Sequence, residues 1–116
     1  MQDCVFCKIG RGEIRTAFVY EDDLVVAFDD IAPQAPVHTL IIPRSHQERP
    51  GDGLSPELMA ALCSAIPAVA EAKGVAESGY RVILNVGRDA QQSVRHMHLH
   101  VLGGRPMTHG MLNFCE

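Results

Sequence analysis

Short apolar runs bounded by turn residues predict strands, one stretch alternates apolar residues with histidines, and one long stretch has a helical period. Residues 17–20 and 24–28 read as two strands of a hairpin, because the acidic run 21–23 separates them as a turn. Three further strands are predicted at residues 37–42, 80–86 and 94–102. Strands, then one long helix, then strands predict an α+β domain with a mostly antiparallel five-stranded sheet.

The long helix has clear signals at both ends. It is expected to begin after Ser55, a hydroxyl N-cap followed by Pro56, and to end at Gly74. Its apolar stripe consists of Leu58, Leu62, Ile66 and Val69. Pro67 predicts a kink, because it removes the hydrogen bond to the carbonyl of Cys63. Cys63 itself is expected to be a small core residue.

Residues 96–102 carry the strongest chemical signal, because three histidines alternate with apolar residues. Successive side chains of a strand point to opposite faces, so His96, His98 and His100 share one face. The other face carries Met97, Leu99 and Val101. On a straight strand the outer two imidazoles lie about 13 Å apart, too far to bind one metal through bonds of about 2 Å. The pattern favours a site with divided roles over a row of surface histidines.

A pair of cysteines, Cys4 and Cys7, opens the chain. Their C-x-x-C spacing suits two thiolates on one tetrahedral metal. Two inert thiols are an alternative, and so is a redox pair, although a strand normally precedes a redox pair. Phe6 and Ile9 give the segment an apolar side, which predicts a short N-terminal helix.

Four other polar residues carry weaker signals. His38 opens the third strand, where it is either a hydrogen-bonded core histidine or a member of a site. Asp29 and Asp30 end the second strand, either as a solvated turn or as acceptors for the hydroxyls of a ligand. His46 follows the third strand and is unremarkable by itself.

The composition narrows the class of protein. The 116 residues fit one domain, taken as residues 1–116 with an irregular tail at about 107–116. A net charge of −4 argues against a general nucleic-acid binder, and the absence of a long apolar run argues against a membrane span. The N-terminus lacks a secretory pattern, so the four cysteines are expected to be reduced in a cytoplasmic protein.

Residues 96–102 read His-φ-His-φ-His-φ-φ, where φ is apolar, which resembles the defining motif of the histidine triad (HIT) family. Residues 30–38, 92–94 and 103–105 resemble its Hint branch. The resemblance runs from about residue 4 to about residue 106 and implies a HIT-like fold. It also implies a homodimer that shares the long helix and the fourth strand. Finally, it implies a purine mononucleotide site with hydrolysis or transfer at an α-phosphate.

The resemblance assigns roles to individual residues. His98 is implied to be a nucleophile that forms a nucleotidyl-histidine, with a neighbouring backbone carbonyl fixing its tautomer. His100, His38 and Ser93 complete the implied catalytic set, contacting phosphate or moving a proton to the leaving amine. The implied nucleotide-binding residues are Phe6, Asp30, Ile31, Asn85, Gln92, Ser93, His98 and His100. The apolar members wall the base, and Asp30 holds the ribose hydroxyls.

Zinc-carrying members of the family have ligands at positions that match Cys4, Cys7, His46 and His96. A Cys₂His₂ set is closed and tetrahedral, so the implied zinc is structural. His96 then serves the metal, while the other two histidines of the motif serve phosphate.

Three functions are compatible with the resemblance. The favoured one is a hydrolase, a purine nucleoside phosphoramidase similar to adenosine 5′-monophosphoramidase. The second is a dinucleoside polyphosphate hydrolase or nucleotidyltransferase, against which residues 103–105 weigh. The third is a zinc-stabilised dimer that binds nucleotide or protein without catalysis, against which the intact nucleophile position weighs. Residues 89–93 lack the family's usual glycines, so substrate preference or rate is expected to differ.

Overall fold

The computed structural model of the protein describes residues 4–51 and 53–108. The elements follow in the order α1 (Val5–Gly10), β1 (Tyr20–Glu21), β2 (Val25–Asp29), β3 (Val37–Pro43), α2 (Pro56–Ala72), β4 (Tyr80–Leu84) and β5 (Leu99–Gly103). The strands form one five-stranded sheet in the order β1-β2-β3-β5-β4, and every neighbouring pair is antiparallel. The predicted α+β class, antiparallel sheet and short N-terminal helix are confirmed.

The sheet separates two apolar clusters, one on each face. The α2 face carries Val25, Ala27, Ile41, Leu58, Leu62, Ala65, Val69, Met97, Leu99 and Val101. The α1 face carries Phe6, Ile9, Val26, Phe28, Leu40 and Ile42. Because side chains alternate along a strand, odd-numbered residues of β2 and β3 join the first cluster and even-numbered residues join the second. Both faces of the central strands are therefore buried.

Helix α2 begins and ends close to where the sequence predicts. The hydroxyl of Ser55 accepts a hydrogen bond from the Leu58 amide (3.1 Å), and Gly74 follows the helix with a φ of +75°. The buried residues are Leu58, Leu62, Ala65, Val69 and Ala70. The prediction for Cys63 is wrong: the residue is exposed, because it lies about 100° around the helix from Leu62. The helix continues through Pro67, so a kink there stays a prediction.

The histidine segment departs from its predicted strand. The prediction began near residue 94, whereas β5 begins at Leu99. The ladder does not extend further because β3 ends at Pro43, which has no N–H to donate. The carbonyl of Pro43 instead lies 2.8 Å from Nε2 of His96, and the Met97 amide donates to Gln47 at 2.6 Å. The side chains of this segment still alternate between the two faces although it forms no strand, since Met97 packs on the α2 face.

Two other strands are shorter than predicted. The strand expected at residues 17–20 is reduced to β1, although the Val19 amide still donates to the Ala27 carbonyl at 2.8 Å. The strand expected at residues 80–86 ends at Leu84. Most of the predicted tail, from residue 109 onward, falls outside the described residues. Within the described part of the chain, no helix is long and apolar enough to cross a bilayer.

Candidate active site and metal centre

The candidate active site lies on the α1 face, where β2, β3 and β5 run side by side. Phe28, Leu40 and His100 form one row across these strands, because the register pairs Phe28 with Leu40 and Leu40 with His100. His38 lies on the same face, with its Nε2 atom 2.9 Å from Nδ1 of His100. The sheet register thus brings together two histidines that are 62 residues apart in the chain.

The ring of His98 is buried and held by the backbone. His98 is only 5% exposed, and its Nδ1 atom lies 2.8 Å from the carbonyl oxygen of His96. The Nδ1–H group donates this bond, so the neutral ring keeps its lone pair on Nε2. Burial lowers the pKa of His98, which favours the neutral form. A neutral, oriented imidazole is therefore present at this position.

His38 and His100 form an oriented pair. The amide of Gln34 donates to Nδ1 of His38 at 3.0 Å, so the proton of neutral His38 lies on Nε2. Nε2 then donates to Nδ1 of His100, which places the His100 proton on Nε2. Burial lowers the pKa of His38, while the charge of Asp30 opposes that shift. Burial, together with nearby His98 and His38, lowers the pKa of His100 to about 4.

The adjacent carboxylates of Asp29 and Asp30 have different surroundings. Asp29 accepts hydrogen bonds from Lys73 (2.9 Å) and Thr39 (2.8 Å). Burial by itself raises the pKa of Asp29, but these two hydrogen bonds outweigh burial, so the pKa lies below its usual value. Asp30 accepts a bond from the Ala32 amide at 2.9 Å, and its second oxygen lies 3.5 Å from Nε2 of His38. Asp29 thus has a structural role, whereas Asp30 lies next to the histidines.

Asp30, His38 and His100 bring possible metal-ligand atoms within 4.8 Å of one another. The hydrogen bond from Gln34 argues against a metal there, because it fixes a proton on the His38 nitrogen that a metal needs. The cluster is better described as a hydrogen-bonded relay.

A cavity of about 300 Å³ opens beside the histidines. Six of the residues expected at a nucleotide site line it: Phe6, Asp30, Ile31, Ser93, His98 and His100. Six others also line it, of which only Asp29 is a candidate from the sequence: Val5, Ile9, Phe28, Asp29, Leu40 and Val94. Phe28 and Leu40 could have been predicted from the sequence, because their even-numbered positions on β2 and β3 place them on the same face of the sheet as His38. The wall is largely apolar, with the carboxylates and imidazoles at one side, which suits a flat base attached to a polar group.

Three of the expected site residues do not line the cavity. His38 lies behind His100, to which it is hydrogen-bonded. Asn85 follows the end of β4 and is absent from the lining. The side-chain amide of Gln92 is hydrogen-bonded to the backbone groups of Gly87, Glu48 and Val94.

The second cluster consists of Cys4, Cys7, His46 and His96, whose ligand atoms lie within 4.8 Å of one another. Nδ1 of His96 is 3.4 Å from the sulfur of Cys4 and 3.5 Å from that of Cys7. Nδ1 of His46 is 3.3 Å from the sulfur of Cys7. Zinc with bonds of about 2.3 Å to sulfur and about 2.0–2.1 Å to nitrogen holds S and N atoms about 3.5 Å apart in a tetrahedron. The measured separations fit that geometry.

The protonation of His96 also fits a ligand. Its Nε2–H donates to the carbonyl of Pro43 at 2.8 Å, which leaves the lone pair on Nδ1 directed toward the thiols. Burial lowers the pKa of His96 to about 4, so the ring is neutral at pH 7. The four residues can therefore hold a metal ion.

Phe6 connects the two clusters. It lies on α1 between the two cysteines and makes edge-on contacts with the rings of His96 (5.8 Å between centroids) and His98 (5.2 Å). It also lines the cavity. Residues at the metal centre therefore help to shape the cavity wall.

The structure combines a five-stranded antiparallel sheet, histidines on one face of that sheet and one long helix on the other face. These features define a small α+β protein with a histidine-lined site. The family profile described as "HIT domain" matches residues 11–107. The chain therefore belongs to the HIT domain family.

Relatives and solved structures agree with this assignment. The chain is 48% identical over 109 residues to the purine nucleoside phosphoramidase of Escherichia coli strain K12, covering 91% of each sequence. A crystal structure of a HIT family hydrolase from Legionella pneumophila superimposes with a TM-score of 0.84 at 47% identity, covering 91% of this chain and 96% of the other. A HIT family hydrolase from Clostridium thermocellum gives a TM-score of 0.89 at 42% identity, covering 97% and 99% of the two chains.

Proposed function

We propose that the protein is a purine nucleoside phosphoramidase that splits the P–N bond of a nucleoside 5′-phosphoramidate. The observation that carries the proposal is the hydrogen bond from Nδ1 of His98 to the His96 carbonyl, beside a cavity of about 300 Å³. A ring held in this way presents an unprotonated Nε2 as a nucleophile. The E. coli relative that is 48% identical carries the same activity in its name.

The proposed reaction has two steps. Nε2 of His98 attacks the α-phosphorus, an Nε2–P bond forms, and the P–N bond to the amine breaks as the amine takes up a proton from solvent by way of the Ser93 hydroxyl. Water then attacks phosphorus and gives one proton back to solvent, the Nε2–P bond breaks, and the nucleoside monophosphate leaves with His98 restored to its neutral form. His98 needs no external base for the first step, because burial already keeps its ring neutral.

The other polar residues of the site serve the phosphate and the leaving group in this proposal. His100 presents its Nε2–H group as a donor, because His38 occupies its Nδ1 atom as an acceptor. Ser93 lies on the cavity lining, where its hydroxyl orients or protonates the leaving amine. Asp30 binds the ribose hydroxyls, which favours ribonucleotides, while Phe6 and Ile31 flank the purine.

We further propose that the Cys₂His₂ cluster binds one structural zinc ion. Four protein ligands close a tetrahedral site and leave no position for substrate. Zinc there ties α1, the segment after β3 and the histidine segment together, since the ligands come from these three places.

The functional unit in this proposal is a homodimer. β4 is an edge strand, and Val82 on it is 38% exposed. Val82 pairs with Val101, so it lies on the α2 face, beyond the strands that α2 covers. Met59 on α2 is exposed as well. A second copy that packs on this apolar edge covers both the strand and the helix.

A side-by-side activity panel tests the proposed function. Purified protein is incubated with adenosine and guanosine 5′-phosphoramidates, a diadenosine polyphosphate and a nucleotide sugar. We expect the highest kcat/KM with a phosphoramidate. A preference for the diadenosine polyphosphate or the nucleotide sugar supports the other enzymatic functions instead. Nucleotide binding without turnover of any substrate rejects an enzyme.

A further inference from the structure

We propose that Gln92 is a positioning residue of the active site, whose carboxamide holds the backbone of Ser93 and Val94 at the rim of the cavity. The sequence resemblance implies a nucleotide contact for Gln92, and the hydrogen bonds of its carboxamide point to this positioning role. Its effect on catalysis rests on the proposed function, whereas its effect on the backbone does not.

All three hydrogen bonds of the Gln92 carboxamide go to backbone groups. Its Oε1 atom accepts from the amide of Gly87 at 2.8 Å. Its Nε2 atom donates to the carbonyls of Glu48 (2.9 Å) and Val94 (3.1 Å). The side chain therefore joins two ends of its own loop and also ties that loop to the segment that leads into α2.

The far end of the loop is held separately, because the Met97 amide donates to the Gln47 carbonyl at 2.6 Å and Val94 packs partly against the apolar cluster of the α1 face. Residues 85–98 lie outside the strands of the sheet. Gln91 has a φ of +61°, a conformation that residues other than glycine rarely adopt. Backbone bonds from Gln91 to Arg88 (2.9 Å) and from Gln92 to Gly87 (3.1 Å) close the turn itself. Beyond this turn, the Gln92 carboxamide fixes the direction in which the chain leaves toward Ser93.

The position requires a carboxamide. One acceptor must face the Gly87 amide while two donors face the carbonyls of Glu48 and Val94. Glutamate has the same shape, but an ionised carboxylate cannot donate, so it leaves both carbonyls unpaired and faces them with negative charge. Ser93 and Val94 both line the cavity, so a shift of their backbone moves the rim where the leaving group is expected.

The test compares Gln92→Glu with the matched control Gln91→Glu. The two changes add the same charge to neighbouring residues, but the Gln91 side chain is exposed. For Gln92→Glu we expect kcat on adenosine phosphoramidate to fall about 10- to 100-fold, as misplacement by about 1 Å does. KM and the Kd for AMP are expected to stay within about threefold. Amide hydrogen exchange at Ser93 and Val94 is expected to accelerate. The control is expected to match wild type in all four measurements.

A double-mutant cycle separates positioning from general weakening of the fold. In a Ser93→Ala background, Gln92→Glu is expected to change kcat by no more than about threefold, because the hydroxyl that the positioned backbone brings to the leaving group is already gone. An undiminished effect in that background overturns the proposal, and so does a Gln92→Glu protein that matches Gln91→Glu in kcat and exchange. If Gln92→Glu does not fold, Gln92→Met replaces it with the same expectations.

Failure of the proposed function is visible separately. A wild-type protein that turns over none of the phosphoramidates rejects that function, and hydrogen exchange then decides the proposal alone. Unchanged exchange at Ser93 and Val94 in Gln92→Glu overturns it in that case.

Discussion

The backbone carbonyl of His96 accepts a hydrogen bond of 2.8 Å from the ring of His98, while the ring of His96 itself reaches the thiols of Cys4 and Cys7. One residue thus contacts the candidate metal centre with its side chain and the candidate nucleophile with its backbone. Phe6 adds a second connection, because its ring contacts both imidazoles. The two clusters of the protein are neighbours that share supports.

The first prediction concerns the proposed nucleophile. His98→Ala is expected to lower kcat on adenosine phosphoramidate by at least about 10³-fold, because no other described imidazole has the same oriented Nε2 beside the cavity. AMP binding is expected to remain measurable by calorimetry, since the apolar wall is unchanged. Acid quenching of the wild-type reaction is expected to yield protein heavier by one nucleotidyl group. A variant within tenfold of the wild-type rate contradicts the covalent route.

The second prediction concerns the metal. Elemental analysis is expected to find about one zinc ion per chain. Cys7→Ser is expected to lower the Tm by about 5 °C or more, because one ligand of a closed site is lost. Cys63→Ser is the matched control: Cys63 is exposed on α2, away from the cluster, so its Tm is expected to stay near the wild-type value. Metal-free protein with an unchanged Tm contradicts the prediction.

The third prediction concerns pH. Unfolded histidines titrate near pH 6.5, whereas burial lowers the pKa of His38 and brings that of His100 to about 4 in the folded protein. Between these values the unfolded chain binds more protons, so the free energy of unfolding falls as the pH falls from about 6.5 toward 4. Each such histidine contributes up to about 1.4 kcal/mol per pH unit. Urea unfolding at several pH values measures the slope.

His100→Asn provides the comparison for this measurement. Both proteins keep the four residues of the metal cluster, so the loss of metal in acid affects them alike. The variant is expected to show the shallower slope between pH 6.5 and 4. Equal slopes imply that His100 does not have a lowered pKa in the folded protein.

The fourth prediction concerns assembly. Sedimentation equilibrium is expected to give a mass about twice that of the 12.7 kDa chain. Val82→Asp is expected to shift the protein toward monomer, because it puts a charge in the middle of the exposed edge strand β4. Leu24→Asp is the control: Leu24 is exposed to a similar degree, but it lies by β1 and β2 at the opposite edge of the sheet. Wild-type protein that sediments as a monomer rejects the dimer.

The alternation that separates the two faces of the sheet is visible in the amino-acid sequence. Met97, Leu99 and Val101 were assigned to the core and the intervening histidines to the other side, and the structure confirms this division. The start of α2 at Ser55 was equally clear. These features depend on local chemistry and on a period of two or 3.6 residues, both of which are visible in a single stretch of chain.

The hydrogen bond between His38 and His100 could be found only in the tertiary structure. The pairing of His38 with His100 depends on the register of β3 against β5, and the tautomer of His38 depends on a backbone amide that no side-chain pattern reveals. The late start of β5 at Leu99 and the place of Gln92 depend on which backbone groups remain unpaired at the ends of strands. Such contacts join residues far apart in sequence, so they are set by the packing of the whole sheet.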